Sequence, residues 1–216
     1  MSQNCTPAAR VTRSLMGYGI IAGPCYIAVS LTQALTRDGF DPTTHAWSLL
    51  ANGTHGWIQV ANLILTGLMT IAAAIGAHRA LTPGRARRWA PALITVYGTS
   101  LVTAGIFRAD PAQNFPAGAP ATPTVTWHGG LHLATGGVGF LCLIAACLVL
   151  AGRFTREGRT RLAWFSRGTA VIFAAGFAGI ASGSHGPTTL AFTAAIIVVW
   201  AWLSTVSLHL YRTATH

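Results

Sequence analysis

His128 and His132 stand four residues apart in the run WHGGLH. On a helix that spacing puts both imidazoles on one face, one turn apart, where they can share an ion or relay a proton. Zinc proteases use the same spacing with a glutamate between the histidines. Here Gly129, Gly130 and Leu131 intervene, so the internal base is missing and protease chemistry is excluded. A catalytic zinc usually takes three protein ligands. Asp110, His55 and His185 are the side chains that could complete a set with His128 and His132; without metal the pair is a simple interfacial one. Asp110 follows Arg108 and precedes Pro111. A carboxylate there either ends a helix or turn beside Arg108, or sits in a dry pocket where desolvation makes it a proton donor. In the second case Asp110 forms an acid/base pair with His128 or His132.

The elements that must position these groups are membrane spans. Of 216 residues, 52% are hydrophobic and only 8% charged, and the mean hydropathy is +0.51. A soluble domain carries about a quarter charged residues, so lipid is the natural solvent. Six apolar segments are long enough to cross the ~30 Å hydrocarbon layer as helices. They run approximately over 14–35, 57–80, 89–107, 128–151, 168–184 and 187–210, within one domain spanning 1–216. The fold class is therefore all-α: a polytopic membrane protein, a single bundle of six transmembrane helices with two extended outer loops. The four prolines of RADPAQNFPAGAPATPTVTW predict a rigid, extended second loop, and HAWSLL predicts a turn or two of helix in the first.

All 14 basic residues are arginine, against four acids, for a net charge of +10. Nucleic-acid binding would gather such charge on one patch, but these arginines fall between apolar runs, so no nucleic-acid partner is expected. Twelve of the fourteen lie on one side of the six-span layout, leaving Arg37 and Arg108 opposite. Positively charged loops stay cytoplasmic, which predicts a multi-pass plasma-membrane protein with both termini inside. The first segment lacks a convincing cleavage site and reads as a span, not a signal peptide. Cys25, Cys142 and Cys147 fall within spans and Cys5 in the cytoplasmic tail, so no disulfide is expected.

Three of the four acids and five histidines (His45, His55, His128, His132, His185) collect on the arginine-poor side. Topology gives no reason for that asymmetry; a polar site under the outer loops does. On the second segment His55, Gln59, Asn62, Thr66 and Thr70 share a helical face, as do His128, His132, Thr135 and Gly139 on the fourth. On the third, Thr99, Thr103 and Asp110 share one if the helix continues through Arg108. Polar stripes avoid lipid, so the three are expected to face one another; the amides and threonines can instead simply bond helix to helix. Gly176, Gly179 and Gly183 read as packing residues. Candidate substrate-binding residues are His55, Trp57, Gln59, Asn62, Arg108, Phe115, Trp127 and His185.

SLLANGTHGWIQVANLILTG, AGIFRADPAQNFPAGAP and WHGGLH together resemble the bacterial integral-membrane family catalogued as domain of unknown function 998. The resemblance covers nearly the whole chain and implies a multi-pass helical membrane protein without assigning an activity. In the first outer loop Thr44, His45, Ala46 and Trp47 replace the family's arginine-histidine-proline run, and Thr54 and His55 stand where an acid is common.

Three functional classes fit. The first is an intramembrane enzyme on a lipid or isoprenoid. It would work by zinc-assisted hydrolysis at His128 and His132, or by acid-initiated cyclisation with Asp110 as donor and Trp57, Trp127 and Phe115 stabilising positive charge. The second is a non-catalytic accessory, resistance or sensing protein that holds a lipid or small molecule. The third, a haem or proton carrier, fits poorly because the histidines crowd one end.

Overall fold

The computed structural model describes residues 6–122, 124–183 and 186–214. Six long helices make up the chain: α1 (Pro7–Thr36), α2 (Gly56–Ala80), α3 (Arg85–Ile106), α4 (Trp127–Arg156), α5 (Thr160–Ala181) and α6 (Gly186–Thr213). Each is long and apolar enough to cross a membrane, and no strand is assigned among the described residues. Every helix packs on its neighbours in sequence, and α6 returns to α1, closing a ring of six antiparallel helices. Consecutive antiparallel packing is what short links between helices favour. The α1–α2 and α3–α4 loops lie at one end, called here the loop end. The arginine-rich links lie at the other.

The ring is filled, not a pore. Tyr26 stacks on Trp200 with ring centroids 5.0 Å apart, and Tyr97 lies 5.9 Å from the same indole. Phe140 meets Phe173 at 5.2 Å and Phe192 at 5.7 Å. On the arginine side of this aromatic core a cavity of about 10 Å³ persists between Met16, Ala73, Ile94, Leu150 and Leu203. That is room for about one water molecule and no lipid chain.

Small residues bring the helices together. A Cβ on Gly67 would lie 2.7 Å from the Gly98 carbonyl oxygen, and one on Gly98 would lie 2.8 Å from that of Gly67. The backbones of α2 and α3 therefore touch only because both positions lack side chains, a common device where lipid offers no hydrophobic drive between helices. Gly176 does the same against Ala195. Gly183, expected to pack within the fifth span, lies beyond the end of α5 at a φ of 135°.

Two helix limits differ from the sequence expectation in ways that matter. The helix α5 starts at Thr160, eight residues before the expected 168. Its first turns carry Arg161 and Arg167, and Arg167 stays polar by bonding Thr155 Oγ1 at 2.9 Å with its guanidinium 5.0 Å from the Trp164 ring centroid. An arginine stem can lie along apolar surface while its head reaches water, so charge did not stop the helix. Conversely α3 ends at Ile106 and does not run through Arg108. Asp110 is thus off the helix and shares no face with Thr99 and Thr103.

Candidate functional site

The loop end is a tied cap. Past the end of α1, the Arg37 guanidinium donates to the carbonyls of Leu50 and Asn52, the second at 2.6 Å, and lies 4.9 Å over the Phe115 ring. Burial lowers its pKa, yet a guanidinium stays charged at any physiological pH. The sequence HAWSLL supplies a 3-10 helix at Trp47–Ala51, which with its C-cap Asn52 presents these two carbonyls to the guanidinium. His45 is 4% exposed and locked by two bonds: the Asp41 N–H donates to Nδ1 at 2.9 Å, and Nε2–H donates to the Gln113 carbonyl at 2.9 Å. Asn52 Nδ2 donates to the Ala109 carbonyl at 3.0 Å.

The second loop folds back on itself where the prolines had predicted an extended path. Ala112 and Phe115 bond to each other's backbone around Gln113 and Asn114, both in the left-handed region. That tight turn drives the Phe115 ring, 1% exposed, down between Phe40 and His45. Phe115 is the plug that joins the two loops. Asp41, on the exposed rim, has its carboxyl held below the ordinary range, chiefly by the Thr43 hydroxyl and then by the Thr43 N–H.

Asp110 and His132 lie where α3 ends and α4 begins, and each bonds across to the other's helix. The Asp110 carboxylate accepts from the Thr126 N–H at 2.8 Å and from its hydroxyl at 2.6 Å. Thr126 in turn is the N-cap of α4, accepting from the Gly129 N–H at 3.2 Å. Negative charge at a helix N-terminus is favoured by the unpaired N–H groups and the macrodipole. His132 Nδ1–H donates to the Phe107 carbonyl at 2.9 Å and to that of Ala104 at 3.3 Å. Those are carbonyls that the end of α3 leaves without helical partners. A Cβ on Gly129 would collide with the Asp110 carboxylate, so the first glycine of WHGGLH is what allows the clasp.

His128 stands apart from this pair. It is exposed, its ring 3.6 Å from that of Trp127 and 5.8 Å from that of Phe107, in an aromatic cluster at the interface. Among the described residues no three His, Cys, Asp or Glu side chains gather around one point, so the zinc set finds no third ligand there. His185 lies outside the described residues. His55 and Trp57 are exposed at the start of α2, and Arg108 is exposed past α3.

The polar stripes meet different neighbours and do not converge. Gln59 is fully buried against α1: its Oε1 accepts from Gln33 Nε2 at 2.9 Å and Ser30 Oγ at 3.2 Å. Asn62 Nδ2 donates to the Tyr26 carbonyl at 3.2 Å. These amides join α1 to α2, while His132 faces α3. Thr99 and Thr103 do neither.

They line a groove between α3 and α4 that sequence reasoning missed. Its walls are Thr95, Val96, Thr99, Ser100 and Thr103 on one side and Ala134, Thr135 and Val138 on the other, around a volume of about 340 Å³. Val96 and Val138 are 41% and 55% exposed, so the groove opens sideways, toward lipid. Gly139 lets α4 pack closely on α3 beside the groove, since a Cβ there would strike the Ser100 hydroxyl. The Thr103 and Thr135 hydroxyls donate back to Thr99 and Leu131 carbonyls in their own helices, leaving a surface of methyls and hydroxyl lone pairs. The period-four threonines 95, 99 and 103 were the available signal.

No curated protein and no solved structure matches the chain. The family model described as protein of unknown function (DUF998) matches residues 20–209, and the chain belongs to that family.

Proposed function

We propose that this protein binds a membrane amphiphile, an acyl or isoprenoid lipid, with its chain lying in the groove between α3 and α4. The observation that carries the reading is the groove itself: about 340 Å³, open sideways between two membrane helices. That volume falls in the range of small-molecule sites, ~300–1,000 Å³. Its position in the loop-end half of the bundle and its opening to the side admit a ligand already dissolved in the bilayer. The arginine distribution supports an orientation in which the loop end is extracytoplasmic and both termini lie in the cytoplasm, because positively charged loops stay inside.

Holding fits the site better than turnover. The oxygens of Asp110 and Nδ1 of His132 are occupied by helix ends, and His128 lies out on Trp127. An accessory, resistance or sensing role built on lipid binding follows from that geometry more directly than hydrolysis or cyclisation.

The test is native mass spectrometry of the protein released from lipid nanodiscs. Ala134→Phe and Thr99→Phe place a ring in the groove at exposed positions, and Val171→Phe places one on a lipid-facing surface elsewhere. The proposal expects the first two to lose a retained lipid adduct while Val171→Phe keeps it, all three melting like wild type. Equal adducts in all four proteins would refute it.

A further inference from the structure

We infer that the ligand of this groove carries a net negative head and that Arg108 reads it; the inference rests on the lipid-binding proposal above. Only two arginines stand at the loop end. Arg37 is occupied within the cap by Leu50, Asn52 and Phe115. Arg108 is exposed, and among the described residues its guanidinium has neither an ion pair nor an aromatic partner. Asp110, two residues on, forms no ion pair with it: both carboxylate oxygens accept from Thr126.

Position favours a ligand that spans both regions. Thr95, Thr99 and Thr103 climb α3 toward the loop end, one turn apart, and the next turn ends at Phe107. Phe107 lies 5.9 Å from Trp127, ring to ring, and 5.8 Å from His128. This aromatic cluster sits above the groove at the height where indoles mark the membrane interface. Arg108 follows Phe107 directly. A chain in the groove therefore delivers its head to the level of Arg108, whose planar fork suits phosphate oxygens. The twelve arginines at the other end draw anions too, but from the opposite face.

Adduct competition in mixed nanodiscs of phosphatidylglycerol and phosphatidylcholine tests this. Wild type should retain phosphatidylglycerol over phosphatidylcholine by about fivefold, which corresponds to ~1 kcal/mol for one arginine near an anionic head. For the adduct that Ala134→Phe abolishes, Arg108→Gln should bring the ratio to about one with that adduct kept, and Arg108→Lys should restore most of the preference. Glycerol phosphate in millimolar excess should not displace the lipid. A preference unchanged in Arg108→Gln would overturn the inference and leave the groove intact. Displacement by glycerol phosphate would overturn it as well, by showing a site for free anions. If Ala134→Phe retains full adduct of both lipids, the groove proposal falls and this inference falls with it.

Discussion

Both oxygens of Asp110 bind Thr126, and the next turn of α4 leaves no room for a side chain at Gly129. Removing the carboxylate in Asp110→Ala should therefore cost stability, about 1 kcal/mol as for other helix caps, and Asp110→Asn less. Gly129→Ala should destabilise by ~1–3 kcal/mol through the collision with the carboxylate. The double variant should be more stable than the sum of the two losses, since each change removes what the other conflicts with. Thermal melting in detergent checks all three. Asp41 offers a second test. Its folded pKa lies below the ordinary 3.8, so its contribution is complete above that value and disappears only as pH falls through the folded one. Carboxyl NMR titration should find it below 3.8, and Thr43→Val should raise it toward 3.8 by deleting the leading hydrogen bond. At this level the sequence was partly readable. A helix-end role for Asp110 followed from its place before proline, but its partner is Thr126, sixteen residues on, where Arg108 had been the nearest choice. The His132 partners are backbone carbonyls of another helix, which carry no mark in residue type.

The contact between α2 and α3 at Gly67 and Gly98 fixes how near the two helices lie. Gly98→Leu should force them apart and lower both melting temperature and membrane abundance, at a cost of ~1–3 kcal/mol, whereas Gly152→Leu, where a Cβ meets open space, should be neutral. The existence of each helix was legible because hydropathy and length are properties of a single segment. Limits were less so. Arginines 161 and 167 obscured the first turns of α5, because charge marks a membrane boundary only when its stem cannot snorkel. The convergence of polar stripes failed for a different reason. Periodicity says which residues share a face, but not which neighbour that face meets. Gln59 and Asn62 meet α1, His132 meets α3, and Thr99 and Thr103 line the open groove between α3 and α4. The groove depends on what two helices leave between them, and neither sequence segment contains it alone.

Across the whole molecule, six spans and a one-sided arginine distribution predict a defined orientation. A fluorescent reporter fused after His216 should mature in the cytoplasm, and alkaline phosphatase inserted after Ala117 in the second loop should be active outside. The reverse pattern would turn the groove toward the cytoplasmic leaflet. The cavity within the filled aromatic centre is too small for a lipid chain, and the lateral groove is large enough for one. Photo-crosslinking tests that assignment most directly: the protein in nanodiscs containing a diazirine-bearing phosphatidylglycerol, irradiated, digested and mapped by mass spectrometry. Adducts should concentrate on residues 95–103 of α3 and 134–138 of α4 and vanish from both in Ala134→Phe. Labelling spread evenly over the lipid-facing sides of all six helices would contradict a lipid site between α3 and α4.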